Sequence, residues 1–204
     1  MPLFYLIRHG ETDLNASRTI QWPQTPLNPQ GRWQANRVAA ALQDKNIGCI
    51  ISSDYVRARE TAEQIHHITT APMSLDTRLR ERHFGRLRGT SWPPSWHQFD
   101  SDEFQPPGGE SQPVFRKRVT MAWKALQENL KQAKCSIAIV THGLVCRTLA
   151  QNHLTWSEHS APPRFSNTSI TVIGGAAPWH VLQGPTDDHL KENYRYATLR
   201  THCP

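Results

Sequence analysis

The sequence has few cysteines and no long apolar run, and each absence excludes a class of protein. Only four of its 204 residues are cysteine, and they lie far apart without a CxxC pair: Cys49, Cys135, Cys146 and Cys203. This spacing fits neither a disulfide framework nor a zinc site, so we expect reduced thiols, no bound metal and a cytoplasmic protein. The most apolar runs, 3–7 and 137–140, are far shorter than the roughly 20 residues that span a bilayer, so we expect no association with a membrane.

Neither sign of charge dominates the sequence, and its apolar content is too high for a disordered chain. Hydrophobic residues make up 37%, and 23 Lys and Arg against 17 Asp and Glu leave a formal net charge of +6. A chain of this length suits one domain, which we place at 1–204. The positive surplus fits a nucleic acid, an acidic surface or a small phosphorylated substrate. Because the basic residues are spread out without a basic run, we expect no nucleic-acid partner.

Short apolar runs typical of buried strands alternate with stretches of helical periodicity. We predict strands at 3–7, 49–51, 73–75, 136–140, 169–173 and 180–182, and helices at 29–42, 55–67, 114–134 and 143–153. The long third helix has this expected apolar side: Val114, Val119, Ala122, Ala125, Leu126 and Leu130. The alternation predicts an α/β fold, a three-layer α/β/α sandwich whose mixed, mostly parallel central sheet ends in a hairpin.

Polar clusters follow three of the predicted strands. They are Arg8-His9-Gly10-Glu11-Thr12, Ser52-Ser53-Asp54 with Arg57 shortly after, and Thr141-His142-Gly143. Singly, His9 would more often be a structural hydrogen-bonding residue, Arg57 a solvated helix residue, and Glu81 an exposed ion-pair partner. Ligands of open α/β sheets bind at the carboxyl ends of the strands, so the repeated pattern indicates one convergent site.

The same clusters belong to a longer series of motifs. In order they are Leu6–Thr12, Asn15, Pro26-Leu27 with Gly31, Ser52-Ser53-Asp54 with Arg57-Ala58, Leu79–Gly85, Pro107–Ser111, Val140–Gly143 and Asn167-Thr168-Ser169. Over essentially its whole length the chain resembles the histidine phosphatase superfamily, the phosphoglycerate mutase-like group. The resemblance implies the phosphoglycerate mutase-like fold, and homodimers are common in that family, so a homodimer is possible.

The resemblance also implies a mechanism. His9 would attack phosphorus as a neutral imidazole, with its other ring nitrogen donating to a backbone carbonyl. Arg8, Arg57 and a protonated His142 would surround the phosphoryl oxygens, so that no metal or other cofactor is needed. Glu81 would be the general acid, kept protonated either by burial or by a proton that the substrate brings.

Four further residues are predicted to bind substrate. Asn15 and Gln21 would supply neutral hydrogen bonds, and Gly143 would add backbone N–H donors at the start of a helix. Arg82 is predicted to hold a second anionic group, and the alternative is that it faces solvent. Trp92 and Trp96 either wall the entrance or pack the irregular segment 90–113.

The chain departs from the family pattern at two places. Trp22 stands where family members commonly have glycine, and its ring is expected to narrow the mouth of the pocket. Arg88 stands where many relatives have glutamate; it either favours a more acidic substrate or faces solvent. A long basic insertion typical of the glycolytic mutases is missing after Gly89, which favours hydrolysis over mutase action.

The function expected from these residues is that of a metal-independent phosphatase. It would hydrolyse a small acidic phosphomonoester, such as a phosphoglycerate or sugar phosphate, through a phosphohistidine, with the phosphorylated metabolite or inorganic phosphate as its partner. The alternatives are a phosphoglycerate mutase and a catalytically silent protein that binds a phosphate ligand. The physiological substrate is not encoded in any motif.

Overall fold

A computed structural model describes residues 2–93, 99–156, 164–175 and 177–191. Its strands are β1 (Phe4–Arg8), β2 (Ile47–Ser52), β3 (Met73–Leu75), β4 (Ser136–Thr141), β5 (Leu154–Thr155), β6 (Ile170–Gly174) and β7 (Trp179–Thr186). Its α-helices are α1 (Asp13–Ala16), α2 (Pro29–Leu42), α3 (Val56–Thr69), α4 (Gln112–Gln132) and α5 (Gly143–Asn152). Every predicted strand and helix is found, with bounds shifted by a few residues. The four-residue α1 and the two-residue β5 were not predicted.

The strands form one seven-stranded sheet in the order β3-β2-β4-β1-β6-β7-β5. The neighbours β3, β2, β4 and β1 run parallel, whereas β6 is antiparallel to both β1 and β7. The predicted mixed, mostly parallel sheet and its closing hairpin are therefore confirmed. Because four adjacent strands point the same way, the polar clusters after β1, β2 and β4 meet at one edge of the sheet.

The side chains of β1 alternate between two apolar cores. Phe4 and Leu6 pack in a core that includes residues of α4 and α5, and Tyr5 and Ile7 pack in a core that includes residues of α2 and α3. A strand presents successive side chains to opposite faces, so β1 is covered on both sides. The three-layer α/β/α arrangement is confirmed.

Helix α4 begins two residues earlier than predicted, and its buried face is shifted. Ser111 caps the helix, accepting a hydrogen bond from the amide of Val114. Val114 is 55% exposed, while Phe115 and Trp123 are buried in the core. The predicted apolar side was therefore wrong at Val114, because the larger Phe115 and Trp123 determine which face turns inward.

Two sequence-based expectations concern thiols and membranes. Cys49, Cys135 and Cys146 carry free thiols, as expected, and Cys203 lies outside the described residues. Among the helices of the described ranges, none combines the length and the apolar character needed to cross a bilayer.

Candidate active site

A cavity of about 200 Å³ opens at the carboxyl edge of the sheet, where the polar clusters meet. Four of the five predicted catalytic residues line it: Arg8, His9, Arg57 and Glu81. The fifth, His142, is fully buried, and its ring centre lies 5.1 Å from that of His9. The sequence motifs thus converge on one site.

His9 is held as a neutral imidazole directly after β1. Its Nδ1 lies 2.7 Å from the carbonyl oxygen of Gly10, and its Nε2 accepts a hydrogen bond of 3.1 Å from Nε of Arg57. These partners place the proton on Nδ1 and the lone pair on Nε2. Burial lowers the pKa of His9 well below its usual value, and the charges of Arg57 and Arg8 lower it further.

Gly10 allows this arrangement because the chain passes close to helix α2 there. A Cβ at Gly10 would lie 2.5 Å from the carbonyl oxygen of Gly31, which is closer than atoms can pack. The amide of Gly10 also donates to Oγ1 of Thr61 at 3.1 Å. The carbonyl that orients His9 is therefore fixed by packing on one side and by a hydrogen bond on the other.

Arg57 and Arg8 bring two buried cations to His9. Arg57, in the first turn of α3, donates from Nη1 to the carbonyl oxygen of Trp22 at 2.9 Å. Arg8, at the end of β1, donates from Nη1 to the carbonyl oxygen of Phe165 at 2.7 Å. Burial lowers the pKa of Arg57 to about 10, so it remains a cation at neutral pH. Within the described ranges neither arginine makes an ion pair with a carboxylate.

Trp22 contributes its backbone rather than its ring to the site. Its carbonyl holds Arg57, while its half-exposed ring lies beside Gly89 and is not part of the cavity lining. The ring therefore does not line the cavity, and the expectation that it narrows the mouth stays a prediction. The carbonyl makes its contact whatever side chain the residue carries.

His142 requires a correction to its predicted charge. Its Nε2 lies 2.8 Å from the hydroxyl oxygen of Ser53, and Nδ1 has no hydrogen-bond partner among the described residues. Burial lowers the pKa of His142 well below the usual value, with Arg57, His9 and Arg8 acting in the same direction. Burial and these cations therefore favour the neutral form of the ring.

Glu81 carries its carboxyl group to the start of helix α5. One carboxyl oxygen accepts from the amide of Leu144 at 3.2 Å and the other from the amide of Arg82 at 3.1 Å. Burial raises the pKa of Glu81 above its usual value, although these amides and the charge of Arg57 oppose the shift. Of the two routes considered for keeping Glu81 protonated, the structure favours burial.

The predicted neutral ligands Asn15, Gln21 and Gly143 also line the cavity. Asn167 links two parts of the wall, since its Nδ2 donates to Oδ1 of Asn15 at 3.2 Å and to the carbonyl of His9 at 3.0 Å. Oε1 of Gln21 accepts from the hydroxyl of Thr12 at 2.9 Å. The amide oxygens of Asn15 and Gln21 are thus held by protein donors.

Arg82 also lines the cavity, where a substrate-binding residue is expected, but protein acceptors hold most of its guanidinium. It is only 2% exposed, and its guanidinium donates to the carbonyl oxygens of Phe99, Phe104 and Glu110 and to Oε1 of Gln112. Four hydrogen bonds to protein acceptors leave one of its five N–H groups. Arg82 therefore braces the surrounding loops and does not face solvent, and its binding of a second anionic group stays a prediction.

Tyr55 and Arg88 are lining residues that the predicted set of site residues left out. The Tyr55 ring centre lies 5.3 Å from that of His142 and 5.3 Å from the guanidinium carbon of Arg57. Its hydroxyl accepts a 3.2 Å hydrogen bond from Nη2 of Arg88. An aromatic residue directly after the strand-end cluster Ser52-Ser53-Asp54 was the available signal.

The remaining wall of the cavity is apolar. It is formed by Ile20, Phe84, Trp92 and Leu144, and the rings of Phe84 and Trp92 pack edge-on with centres 5.2 Å apart. Trp92 is thus a wall of the cavity, and Trp96 lies outside the described residues. One side of the cavity is cationic and the other is apolar.

The sequence is similar to a known protein family and to known proteins over most of its length. The model of the family described as the histidine phosphatase superfamily (branch 1) matches residues 4–185. The chain is 37% identical over 202 residues to phosphoglycerate mutase-like protein 4 of Arabidopsis thaliana, covering 92% of this chain and 86% of the relative. It is 33% identical over 182 residues to the probable phosphoglycerate mutase GpmB of Escherichia coli (strain K12 / DH10B), covering 83% of each.

Solved structures give the same result. Bacillus stearothermophilus YhfR superposes with a TM-score of 0.79 at 28% identity, over 94% of this chain and 100% of that chain. A mycobacterial glucosyl-3-phosphoglycerate phosphatase, in a structure with VO3, superposes with a TM-score of 0.74 at 25% identity, over 90% and 99%. With a family model matched over most of its length and relatives above 30% identity, the chain belongs to the histidine phosphatase superfamily.

Proposed function

We propose that the protein is a metal-independent phosphatase that hydrolyses a small acidic phosphomonoester through a phosphohistidine at His9. The observation that carries this proposal is the state of His9. Its Nε2 bears a lone pair, and the two nearest cations, Arg8 and Arg57, have no carboxylate partner in the described part of the chain. A neutral nucleophile beside unpaired cations suits a phosphoryl group, which carries two negative charges.

In the first step, Nε2 of His9 attacks phosphorus in line with the ester oxygen. The nitrogen–phosphorus bond forms as the phosphorus–oxygen ester bond breaks, and Glu81 gives its proton to the leaving oxygen. Arg57 keeps its Nε–H proton but donates the hydrogen bond to a phosphoryl oxygen instead of to Nε2 of His9. This change of acceptor frees the lone pair on Nε2 for the attack. The Nδ1–H bond to Gly10 stabilises the positive charge that the ring gains.

In the second step, water replaces the histidine on phosphorus. Glu81, now a carboxylate, takes a proton from the attacking water, the nitrogen–phosphorus bond breaks, and inorganic phosphate leaves. The raised pKa of Glu81 suits both directions, because the group is a ready acid before the first step and a competent base after it. The same residue thereby serves the two halves of the cycle.

Arg8, Arg57 and His142 stabilise the charge that spreads over the phosphoryl oxygens. Phosphoryl transfer depends mostly on positioning and on such electrostatic stabilisation, which fixed cations supply without reorganisation. His142 gains a dianionic neighbour when substrate binds, which favours its protonated form. Its protonation is therefore coupled to substrate binding.

Phosphoglycerate mutase action is the second candidate. It is favoured by the relatives named above, one of which is a probable phosphoglycerate mutase at 33% identity. In that reaction the phosphoryl group would pass from His9 to another hydroxyl instead of to water. The mycobacterial phosphatase, at 25% identity, supports hydrolysis.

The test is a screen of small phosphomonoesters with a chelator present and no bisphosphoglycerate primer. We expect release of inorganic phosphate that survives chelation, together with acid-labile phosphate bound to His9 during turnover. His9→Ala should lower kcat by at least about 10³-fold because it removes the nucleophile. The matched control is His67→Ala, which changes an exposed histidine on α3 and should leave kcat unchanged.

Three outcomes contradict the proposal. Complete loss of activity on chelation would contradict the metal-independent mechanism. An isomerised monophosphate without released phosphate would identify a mutase. Binding of phosphate esters without turnover in the wild-type protein would identify a silent binding protein.

A further inference from the structure

Arg88 is one of four arginines in the cavity wall, with Arg8, Arg57 and Arg82, and it makes no hydrogen bond to His9. It lines the same cavity as Arg8 and Arg57, is partly buried, and donates from Nη2 to the hydroxyl of Tyr55 at 3.2 Å. The catalytic steps described above do not use it. Its charge is therefore available for a part of the substrate other than the transferred phosphoryl group.

The backbone around Arg88 is fixed on both sides. Before it, the 3-10 turn Gly85–Leu87 is tied to Pro107, whose carbonyl accepts from the amide of Arg86 at 2.9 Å. After it, the amide of Gly89 donates to the carbonyl oxygen of Ile20 at 2.8 Å. A side chain presented from such a segment is already positioned before the ligand arrives, so little order has to be gained on binding.

The charge of Arg88 is not neutralised by the protein. Among the residues with described positions, no carboxylate forms an ion pair with it, whereas its neighbour Arg80 is bound to Asp54, with Nε to Oδ1 at 2.7 Å. The field of Arg88 reaches its surroundings, since it helps to lower the pKa of His83. A fixed, partly desolvated guanidinium without a carboxylate is a binding group for an oxyanion, which it can meet with two N–H donors.

Tyr55 sets the separation between the two ends of the cavity. The ring of Tyr55 stands next to His142 at the phosphoryl end, and its hydroxyl contacts Arg88 at the other end. Arg88 also borders a second space of about 350 Å³ beyond Tyr55, lined in addition by Arg80, His83 and Pro23. The Tyr55 side chain would therefore stand between an anionic group at Arg88 and His142.

From this geometry we propose that Arg88, positioned by Tyr55, selects substrates that carry a second anionic group, a carboxylate or a second phosphoryl group, a few bonds from the ester phosphorus. The inference rests on the proposed phosphatase function and deepens it. Arg88 acts on specificity rather than on the chemical step, because the groups that make and break bonds lie at the other end of the cavity.

The experiment compares two esters that differ in one group. 3-Phosphoglycerate carries a carboxylate where glycerol 3-phosphate carries an uncharged hydroxymethyl group. We expect Arg88→Met to lower kcat/KM for 3-phosphoglycerate by about 10- to 100-fold, the effect of losing a charge-assisted hydrogen bond. Glycerol 3-phosphate should change by less than about threefold, since the carboxylate contact is absent.

Arg86→Met is the matched control. Arg86 lies two residues away in the same turn, is exposed, and is not part of the cavity lining. It should leave both substrates unchanged while removing the same net charge. Arg88→Lys should recover part of the preference, because the charge returns without the planar fork. A bisphosphate and its matching monophosphate, tested in the same variants, show whether a phosphoryl group replaces the carboxylate.

Calorimetric binding of both esters to the wild-type protein and to Arg88→Met separates this inference from the proposed function. If the wild type hydrolyses neither ester but binds 3-phosphoglycerate more tightly through Arg88, the phosphatase proposal fails and the subsite stands. If the wild type hydrolyses both and Arg88→Met lowers both equally, or changes neither, the subsite is overturned while the phosphatase proposal stands.

Discussion

The arginines at the phosphoryl end of the cavity and those in the loops around it are used in opposite ways. Arg57 and Arg82 are both almost fully buried, at 1% and 2% exposure. Arg82 donates to four protein acceptors and holds together the loop that carries Glu81. Arg57 donates to one carbonyl and to the nucleophile His9, and the rest of its guanidinium has no protein acceptor among the described residues. Protein acceptors thus take up most of the N–H donors of Arg82, whereas part of the Arg57 guanidinium stays available to a ligand.

The same contrast extends to the ion pairs. Outside the cavity, the described part of the chain matches carboxylates to arginines in six ion pairs: Glu63–Arg59, Asp76–Arg78, Asp54–Arg80, Asp102–Arg116, Glu110–Arg118 and Asp100–Arg147. Glu81 is the carboxylate of the cavity lining, and burial favours its uncharged form. The formal net charge of +6 is therefore a poor guide to the site, because what matters is where positive charge stays unbalanced.

The largest effects are expected when Arg57 and Arg82 are each replaced by methionine. Arg57→Met should lower kcat/KM by about 10³-fold, because a cation on the transition state is lost, and change the free energy of unfolding by less than about 1 kcal/mol. Arg82→Met should do the reverse. It should lower kcat/KM by less than about tenfold and destabilise the fold by about 3–5 kcal/mol, since buried acceptors lose their donor. Steady-state kinetics and urea unfolding measure both quantities.

The contrast between Arg57 and Arg82 would be contradicted if Arg57→Met and Arg82→Met changed activity and stability in the same way. Equal losses of stability would mean that Arg57 is a structural residue like Arg82. A large loss of kcat with unchanged stability in Arg82→Met would restore Arg82 as a substrate ligand.

The second prediction concerns pH. The neutral form of His9 is needed for attack, and its lowered pKa keeps kcat/KM high below the pH at which an ordinary histidine is protonated. The acid form of Glu81 is needed for the leaving group, and its raised pKa moves the alkaline loss of activity above the usual range of a carboxyl group. We therefore expect a bell-shaped profile of kcat/KM against pH.

Glu81→Gln tests which group produces the alkaline limb. The variant should lose about 10²- to 10⁴-fold in kcat/KM for an alkyl phosphate and should no longer show that limb. The loss should be smaller for p-nitrophenyl phosphate, whose leaving group needs less protonation. An unchanged alkaline limb in the variant would assign it to another residue.

The third prediction is that an anion stabilises the protein by balancing the cavity cations. At a concentration 100 times its Kd, inorganic phosphate should raise the free energy of unfolding by about 2.7 kcal/mol. The increase should disappear in Arg57→Met and persist in Arg86→Met, which lies outside the cavity. Chloride at the same ionic strength is the control for screening, and an equal effect of chloride would refute specific binding.

Much of the site was predictable because its chemistry follows strands in the sequence. Arg8, His9 and His142 stand directly after short apolar runs, and parallel strands carry such residues to a common edge. The alternation of strands and helices likewise fixed the layers. These features depend on the local pattern of apolar residues and on the order of strands and helices, both of which can be read from the sequence.

The remaining features depend on burial, which no local pattern reports. The charge of His142 follows from the full burial of its ring and from the nearby charges of Arg57 and Arg8. The bracing role of Arg82 follows from carbonyl oxygens up to 28 residues away in the chain. Val114 and Phe115 are adjacent apolar residues at the start of α4, and helical spacing alone did not show which of them faces the core.

The smallest effect is expected from the ion pair of Asp54 and Arg80 at the edge of the site. Asp54→Asn removes the carboxylate that balances Arg80, whose side chain is 43% exposed, so the pair is screened by water and should contribute only about 0.2–1 kcal/mol to stability. The freed charge of Arg80 adjoins the space beyond Tyr55 and should lower KM for 3-phosphoglycerate, but not for glycerol 3-phosphate, by about two- to threefold at low salt. This change should vanish at high ionic strength. A loss of more than about 2 kcal/mol, or an equal change of KM for both esters, would show that Asp54 holds the site together rather than balancing a peripheral cation.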